Sequence, residues 1–207
     1  ETNIPGIYAA GDVAAGPDLL GGAPAVHAIQ PTAVDHGRIA GANMAGTATQ
    51  YPGSLSLNVL DVINLHCASF GQWQDQGQDT TVVWNETRPI YRKYVWDKDR
   101  IVGALFVGPI DDVTMLNDVG MIKGLIQTKQ ALGNWADYVK QNPTDIRRAY
   151  VGTGTAQQLI GKTLLGTAAR DRAYRVNGKT PATWQKPDHA PLIGSRPNAM
   201  DTLPRTP

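Results

Sequence analysis

The hydrophobic pattern of the chain changes after the first 50 residues. Short apolar stretches lie among small residues before that point, and runs of residues typical of β-strands follow it. Residues 6–10 are apolar without alternation, which is typical of a strand covered on both faces in a parallel sheet. Pro31 stands where a helix can begin, and the small and apolar residues over 32–45 predict that helix, with Gly46 at its end. A buried strand followed by a helix indicates that this first part belongs to a parallel α/β arrangement.

An antiparallel sheet is predicted after residue 50. Residues 57–70 form one long extended segment in this interpretation, and three further runs are rich in Val, Ile, Tyr and Trp. Short polar connections join those runs, so neighbouring strands are expected to be antiparallel. The three runs cover residues 80–84, 90–96 and 101–107.

A helix that covers this sheet is predicted after Pro109. Asp111 and Asp112 can cap its N-terminus, and apolar residues at a spacing of three or four indicate its buried face. A short helix is predicted over 135–140, and glycine-interrupted helical segments over 145–172. The apolar positions assigned to the covering helix are Val113, Leu116, Val119, Ile122 and Ile126.

The composition and charge of the chain exclude several classes of function. The chain has 19 Lys and Arg against 18 Asp and Glu, and no basic cluster, so we expect no nucleic-acid partner. Its one cysteine, Cys67, excludes an internal disulfide and a thiolate-rich metal site built by this chain, and we expect no metal. Because no apolar run approaches the length of a membrane span and no signal peptide is recognisable, we expect a soluble, cytoplasmic protein without a membrane span.

The predicted first strand ends in a Gly-Asp pair, Gly11 and Asp12. A carboxylate at the carboxyl end of a parallel strand lies where open α/β sheets bind ligands, and glycine lets the backbone come close. Residues 2–12, T-N-I-P-G-I-Y-A-A-G-D, resemble the second flavin-binding sequence of the FAD-dependent pyridine nucleotide-disulfide oxidoreductases. In that family the aspartate holds the ribityl chain of FAD. The resemblance therefore implies this role for Asp12, with Gly11 beside it.

The predicted helix adds a second match in the same order. Residues 29–44, I-Q-P-T-A-V-D-H-G-R-I-A-G-A-N-M, resemble the helix that follows in this family. Free N–H groups and the positive end of a helix stabilise the negative charge that a reduced flavin carries at its pyrimidine edge. The resemblance thus assigns Gln30, Pro31 and Thr32 to the FAD site, mainly through backbone amides. His36, further along the helix, is interpreted as a solvated or capping residue.

The predicted sheet also resembles a known domain. Residues 91–95 and 100–108, with the helix after them, are similar to the C-terminal domain of NADH-dependent rubredoxin reductases and nitrite reductase large subunits. The resemblance implies an α+β fold class, in which the remnant of a parallel flavin-binding α/β domain precedes an antiparallel sheet with covering helices. It implies two domains, the last strand and helix of the FAD domain (1–50) and an interface domain (51–127). The residue pattern alone predicts a helical extension (128–175) and a Pro-rich tail (176–207) after them.

The function implied by this resemblance is that of the C-terminal portion of an FAD-dependent NAD(P)H oxidoreductase. The GxGxxG sequences that hold FAD and the nicotinamide in this family are absent. We therefore expect an N-terminal FAD/NAD(P)-binding half to complete the enzyme, the chain alone being inactive and its catalytic residues unassigned. A homo-oligomer and a small redox-protein acceptor are expected partners. The alternative is a non-catalytic module for dimerisation or partner docking.

Overall fold

A five-stranded antiparallel sheet is the largest element of the structure, a computed structural model that describes residues 1–159. The strand order is β1-β2-β5-β4-β3, so β1 and β3 are the edge strands. The antiparallel sheet with covering helices is therefore confirmed. Its strands are β1 (Leu57–Val62), β2 (Leu65–Gly71), β3 (Asp79–Asn85), β4 (Ile90–Asp97) and β5 (Arg100–Pro109).

The single strand predicted over 57–70 is wrong, because the chain reverses at Ile63 and Asn64. Both residues have positive φ, 46° and 62°, as in the two-residue turns that match the twist of a hairpin. Val62 pairs with Leu65 across this turn. The turn contains no glycine, and this is why the pattern reads as one continuous strand. The other three predicted strands are confirmed.

Helix α2 (Val113–Gln127) packs against the sheet, as predicted, and Ile122 and Ile126 are fully buried as predicted, but the first turn of its buried face differs from the prediction. Asp112 caps it, since its Oδ1 accepts from the Met115 backbone N–H at 3.0 Å. Val113 and Leu116 are exposed, whereas Met115 is fully buried. Gly108 on β5 makes this possible, because a Cβ there would lie 2.6 Å from Met115 Sδ. The absence of a side chain at Gly108 therefore leaves room for Met115 between α2 and the sheet.

Three short helices complete the core beside α2. They are α3 (Asn134–Gln141), α4 (Ile146–Gly152) and α5 (Thr155–Leu159), and the first confirms the helix predicted over 135–140. Tyr94 on β4 ties the sheet to this layer, since its hydroxyl donates to the Pro143 carbonyl at 2.8 Å. The rest of the predicted helical extension and the Pro-rich tail lie outside the described residues.

The strand predicted over residues 6–10 is not formed. The segment has no strand partner among the described residues, and Ile4 and Ile7 are about half exposed, at 55% and 51%. A strand is stable only when a neighbouring strand pairs with its backbone N–H and C=O groups. The following helix is confirmed as α1 (Gln30–Met44), with Pro31 in its first turn. The parallel flavin-binding part of the predicted fold class remains a prediction.

Candidate functional site

The structure places the predicted site residues on two elements that touch. Gly11 and Asp12 lie on a 3-10 turn, Gly11–Val13, which contacts α1. Gly11 has a φ of +78°, and a Cβ there would lie 3.5 Å from the Cβ of Ala33 in the first part of α1. The turn therefore lies in contact with the helix, and glycine at position 11 permits the positive φ of the turn.

The N-terminus of α1, which carries Gln30, Pro31 and Thr32, is open. Ile29 at the N-cap offers no side-chain hydrogen bond, and the first turn contains no acidic residue. The positive end of the helix is therefore not neutralised within its own first turn. Thr32 is only 5% exposed, and its hydroxyl makes no hydrogen bond to another described residue. These features suit a ligand edge with partial negative charge.

The Asp12 carboxylate is the polar group that the turn places beside the helix start. Asp12 is exposed and its side chain forms no hydrogen bond or ion pair within residues 1–159. An ionised carboxylate accepts hydrogen bonds only, so Asp12 is available to a ligand that presents hydroxyl or N–H groups. The surface thus offers acceptor atoms at the turn and donor atoms at the helix.

His36, which the sequence analysis interpreted as solvated or capping, is buried, with 7% of its surface exposed, and it joins the turn to the linker after α1. The Gly11 N–H donates to His36 Nδ1 at 3.3 Å, and His36 Nε2 lies 3.3 Å from Ser54 Oγ. Ser54 Oγ in turn lies 2.6 Å from the hydroxyl of Tyr51, whose ring packs edge-on against the imidazole. The interpretation was wrong because the partners of His36 lie 25 and 18 residues away in sequence.

A cavity of about 130 Å³ adjoins the start of α1. Pro31 and Thr32 line it, but Gly11, Asp12 and Gln30 do not. Its other walls come from Leu19, from Ile29 and Asp35 at the helix, from the linker at 51–55, from β1 and from α2, which contributes Lys123. The cavity therefore brings the predicted helix start together with the sheet domain.

Other chemistry-bearing groups in the described part of the chain do not form a second site. His66 Nδ1 lies 2.5 Å from Asp61 Oδ1, and the two residues are cross-strand partners on β2 and β1. Cys67, the next residue, is half-buried. Residues 1–159 contain no group of three or more His, Cys, Asp or Glu that could hold a metal ion. None of the helices in that range has the length and apolar character needed to cross a membrane.

Solved structures similar to this chain share its fold. A NAD-dependent persulfide reductase from A. fulgidus matches with a TM-score of 0.58 and 22% identity, over 79% of this chain and 34% of its own. A pyridine nucleotide-disulfide family oxidoreductase from Enterococcus faecalis V583 matches with a TM-score of 0.55 and 21% identity, over 65% and 34%. Reduced Bacillus anthracis CoADR-RHD matches with a TM-score of 0.50 and 20% identity, over 67% and 31%. The chain spans about a third of the length of each structure.

The class defined by this fold is an antiparallel α+β domain of the kind found in pyridine nucleotide-disulfide oxidoreductases. Residues 57–127 match the sequence model of the rubredoxin NAD+ reductase C-terminal domain family. The match begins at the first residue of β1 and ends at the last residue of α2. This part of the chain is therefore similar to that domain family, and the predicted resemblance to the C-terminal part of these oxidoreductases is confirmed. No curated protein sequence matches the chain.

Proposed function

We propose that the chain is the C-terminal portion of an FAD-dependent NAD(P)H oxidoreductase and supplies the ribityl and pyrimidine side of its flavin site. One observation carries this proposal. The Gly11–Asp12 turn packs against the open N-terminus of α1, next to a rubredoxin NAD+ reductase C-terminal domain. This packing places the acceptor oxygens of the Asp12 carboxylate beside the donor N–H groups at the start of α1.

The residues present fit this part of FAD. The exposed Asp12 carboxylate can accept hydrogen bonds from ribityl hydroxyls, and Gly11 has no side chain to block the approach. Gln30 and Thr32 have backbone N–H groups at the uncapped helix end, where the helix dipole favours negative charge on the pyrimidine edge. When bound, FAD would accept a hydride from NAD(P)H and pass electrons onward. The residues of this chain bind and orient it.

The remaining parts of the enzyme are proposed to come from an N-terminal half. The chain lacks a GxGxxG sequence for the phosphates of FAD or NAD(P)H. It also spans about a third of the length of the structures it matches. The complete protein is proposed to act in the cytoplasm as a homo-oligomer and to pass electrons to a small redox protein.

The test is flavin retention by the protein expressed from its complete gene. We expect a purified yellow protein with flavin absorbance, and Asp12→Ala should weaken FAD retention by about 1–3 kcal/mol, as for the loss of hydrogen bonds to a charged group. Asp111→Ala is the matched control, because Asp111 is also an exposed aspartate but lies at the start of α2. A colourless full-length protein, or equal FAD loss in both variants, would contradict the proposal.

A second candidate function is a non-catalytic dimerisation or docking module. The face of the sheet opposite α2 carries the cross-strand row Leu60, Cys67, Val107, Tyr91 and Trp84. The two ends of this row are 58% and 72% exposed, which leaves apolar surface open to a partner. A full-length protein that dimerises in light-scattering measurements but binds no flavin would favour this function.

A further inference from the structure

His36 connects three segments around the candidate flavin site. It belongs to α1, it accepts from the Gly11 N–H of the turn, and it contacts Ser54 of the linker. The loop between turn and helix also lies against it, since a Cβ on Gly16 would be 3.4 Å from His36 Nε2. The position of the Gly11–Asp12 turn relative to the helix start therefore depends on this imidazole.

The hydrogen bonds define which ring nitrogen carries the proton. A backbone N–H can only donate, so Nδ1 must be unprotonated to accept from Gly11. In the neutral ring the proton is then on Nε2, which donates to Ser54 Oγ. Protonation of the ring would place a second N–H opposite the Gly11 N–H, and the hydrogen bond to the turn would be lost.

The surroundings of His36 shift its pKa in opposite directions. Burial lowers the pKa of His36 most strongly, Asp35 on the same helix raises it, and His27 lowers it. His27 Nε2 lies 3.1 Å from Asp18, and Tyr51 has a raised pKa because it is buried. The imidazole therefore stays neutral at neutral pH and becomes charged only in acid.

We infer that His36 is a positioning residue, which in its neutral form holds the Gly11–Asp12 turn in place for FAD and releases it on protonation. This inference rests on the proposed function. It makes flavin retention dependent on pH through a side chain that does not itself contact the ligand.

Two substitutions separate the hydrogen bonds of the two ring nitrogens. In His36→Asn, the amide oxygen lies near the position of Nδ1 and can accept from Gly11. In His36→Gln, the amide reaches the position of Nε2 and can contact only Ser54. Neither side chain titrates. The two variants therefore differ in whether the side chain can accept a hydrogen bond from the Gly11 N–H of the turn.

The measurement is the FAD dissociation constant of the full-length protein at about pH 7.5 and about pH 5, the lower value lying well below the ordinary histidine pKa because burial lowers the pKa of His36. We expect wild type to bind FAD more weakly in acid and His36→Asn to bind it equally at both values. His36→Gln should bind about fivefold more weakly than His36→Asn throughout, as for one lost hydrogen bond. The same pH dependence in wild type and His36→Asn, or equal affinity in the two variants, overturns the inference.

A second measurement separates this inference from the proposed function. In the flavin-free protein, ¹⁵N NMR should show the His36 proton on Nε2, and the protection of the Gly11 amide, its exchange rate relative to the intrinsic rate at the same pH, should fall in acid. If wild type binds no FAD, the proposed function fails, and the inferred control of flavin binding fails with it. A proton on Nδ1, or protection of the Gly11 amide that does not change with pH, overturns the positioning role alone.

Discussion

The side chains of Arg92 and Asp118 join strand β4 to helix α2 through an ion pair inside the core. Each residue is 4% exposed, and Arg92 Nη1 donates to Asp118 Oδ2. Burial raises the pKa of Asp118, and the Arg92 guanidinium opposes this shift. The buried Arg92 Nε has no hydrogen-bond partner within the described residues, so the guanidinium depends on this carboxylate.

Removal of one member of this pair should destabilise the protein more than removal of both. Asp118→Ala leaves a buried, unpaired guanidinium, and we expect the free energy of unfolding to fall by about 3–5 kcal/mol. Arg92→Met combined with Asp118→Leu should lose much less, because no charge remains buried. Urea denaturation followed by circular dichroism measures both. An equal loss of unfolding free energy in the single and double variants would show that leaving the guanidinium buried and unpaired has no such cost.

At the residue scale, the sequence predicted local contacts and missed distant ones. The Asp112 cap could be predicted because donor and acceptor are three residues apart. Asp118 is 26 residues from Arg92, and only the packing of α2 on the sheet brings them together. The same reason explains why the partners of His36 were missed.

The turn between β1 and β2 is the element where local sequence and conformation conflict. Ile63 has a φ of +46°, a region that β-branched residues avoid because their side chains meet the backbone. Its side chain is 89% exposed, so packing does not compensate for this conformation. Pairing of β1 with β2 and of β2 with β5 imposes the turn instead.

Replacement of Ile63 with a residue that accepts positive φ should stabilise the hairpin. Asn is common at this position of two-residue turns, and we expect Ile63→Asn to raise the free energy of unfolding by about 1 kcal/mol. Ile63→Val keeps the β-branch and should give no such gain. Thermal unfolding of the two variants checks this, and an equal or lower midpoint for Ile63→Asn would contradict it.

The stability of the whole molecule should depend on pH through His36. Its pKa in the folded chain is lowered, mainly by burial, whereas an unfolded chain binds a proton near the ordinary value of about 6.5. Between those two values the unfolded state binds more protons, so a fall in pH favours unfolding. The stability contribution of the neutral imidazole is complete above about pH 6.5 and is lost towards the folded pKa.

Unfolding measurements across this range should show the effect directly. We expect the free energy of unfolding of wild type to fall by at most about 1.4 kcal/mol per pH unit below about pH 6.5, as for one proton. His36→Asn should remove this dependence while leaving that of Asp118, whose pKa is raised, in place. Identical pH profiles for wild type and variant would exclude His36 as the titrating group.

The sequence by itself determined the strands β3 to β5, the helices α1 and α2, and the resemblance to a known family, because their signals are local: periodicity, caps and motif spacing. Only the tertiary structure decided that residues 57–70 form a hairpin, that Met115 rather than Leu116 is buried, and that residues 6–10 form no strand. Each of these depends on how separate segments pack or pair with one another. The hairpin depends on the pairing of β2 with β5, and the burial of Met115 depends on the space left by Gly108. Residues 6–10 form no strand because no other described strand pairs with them. The residue pattern of a single segment does not encode such packing.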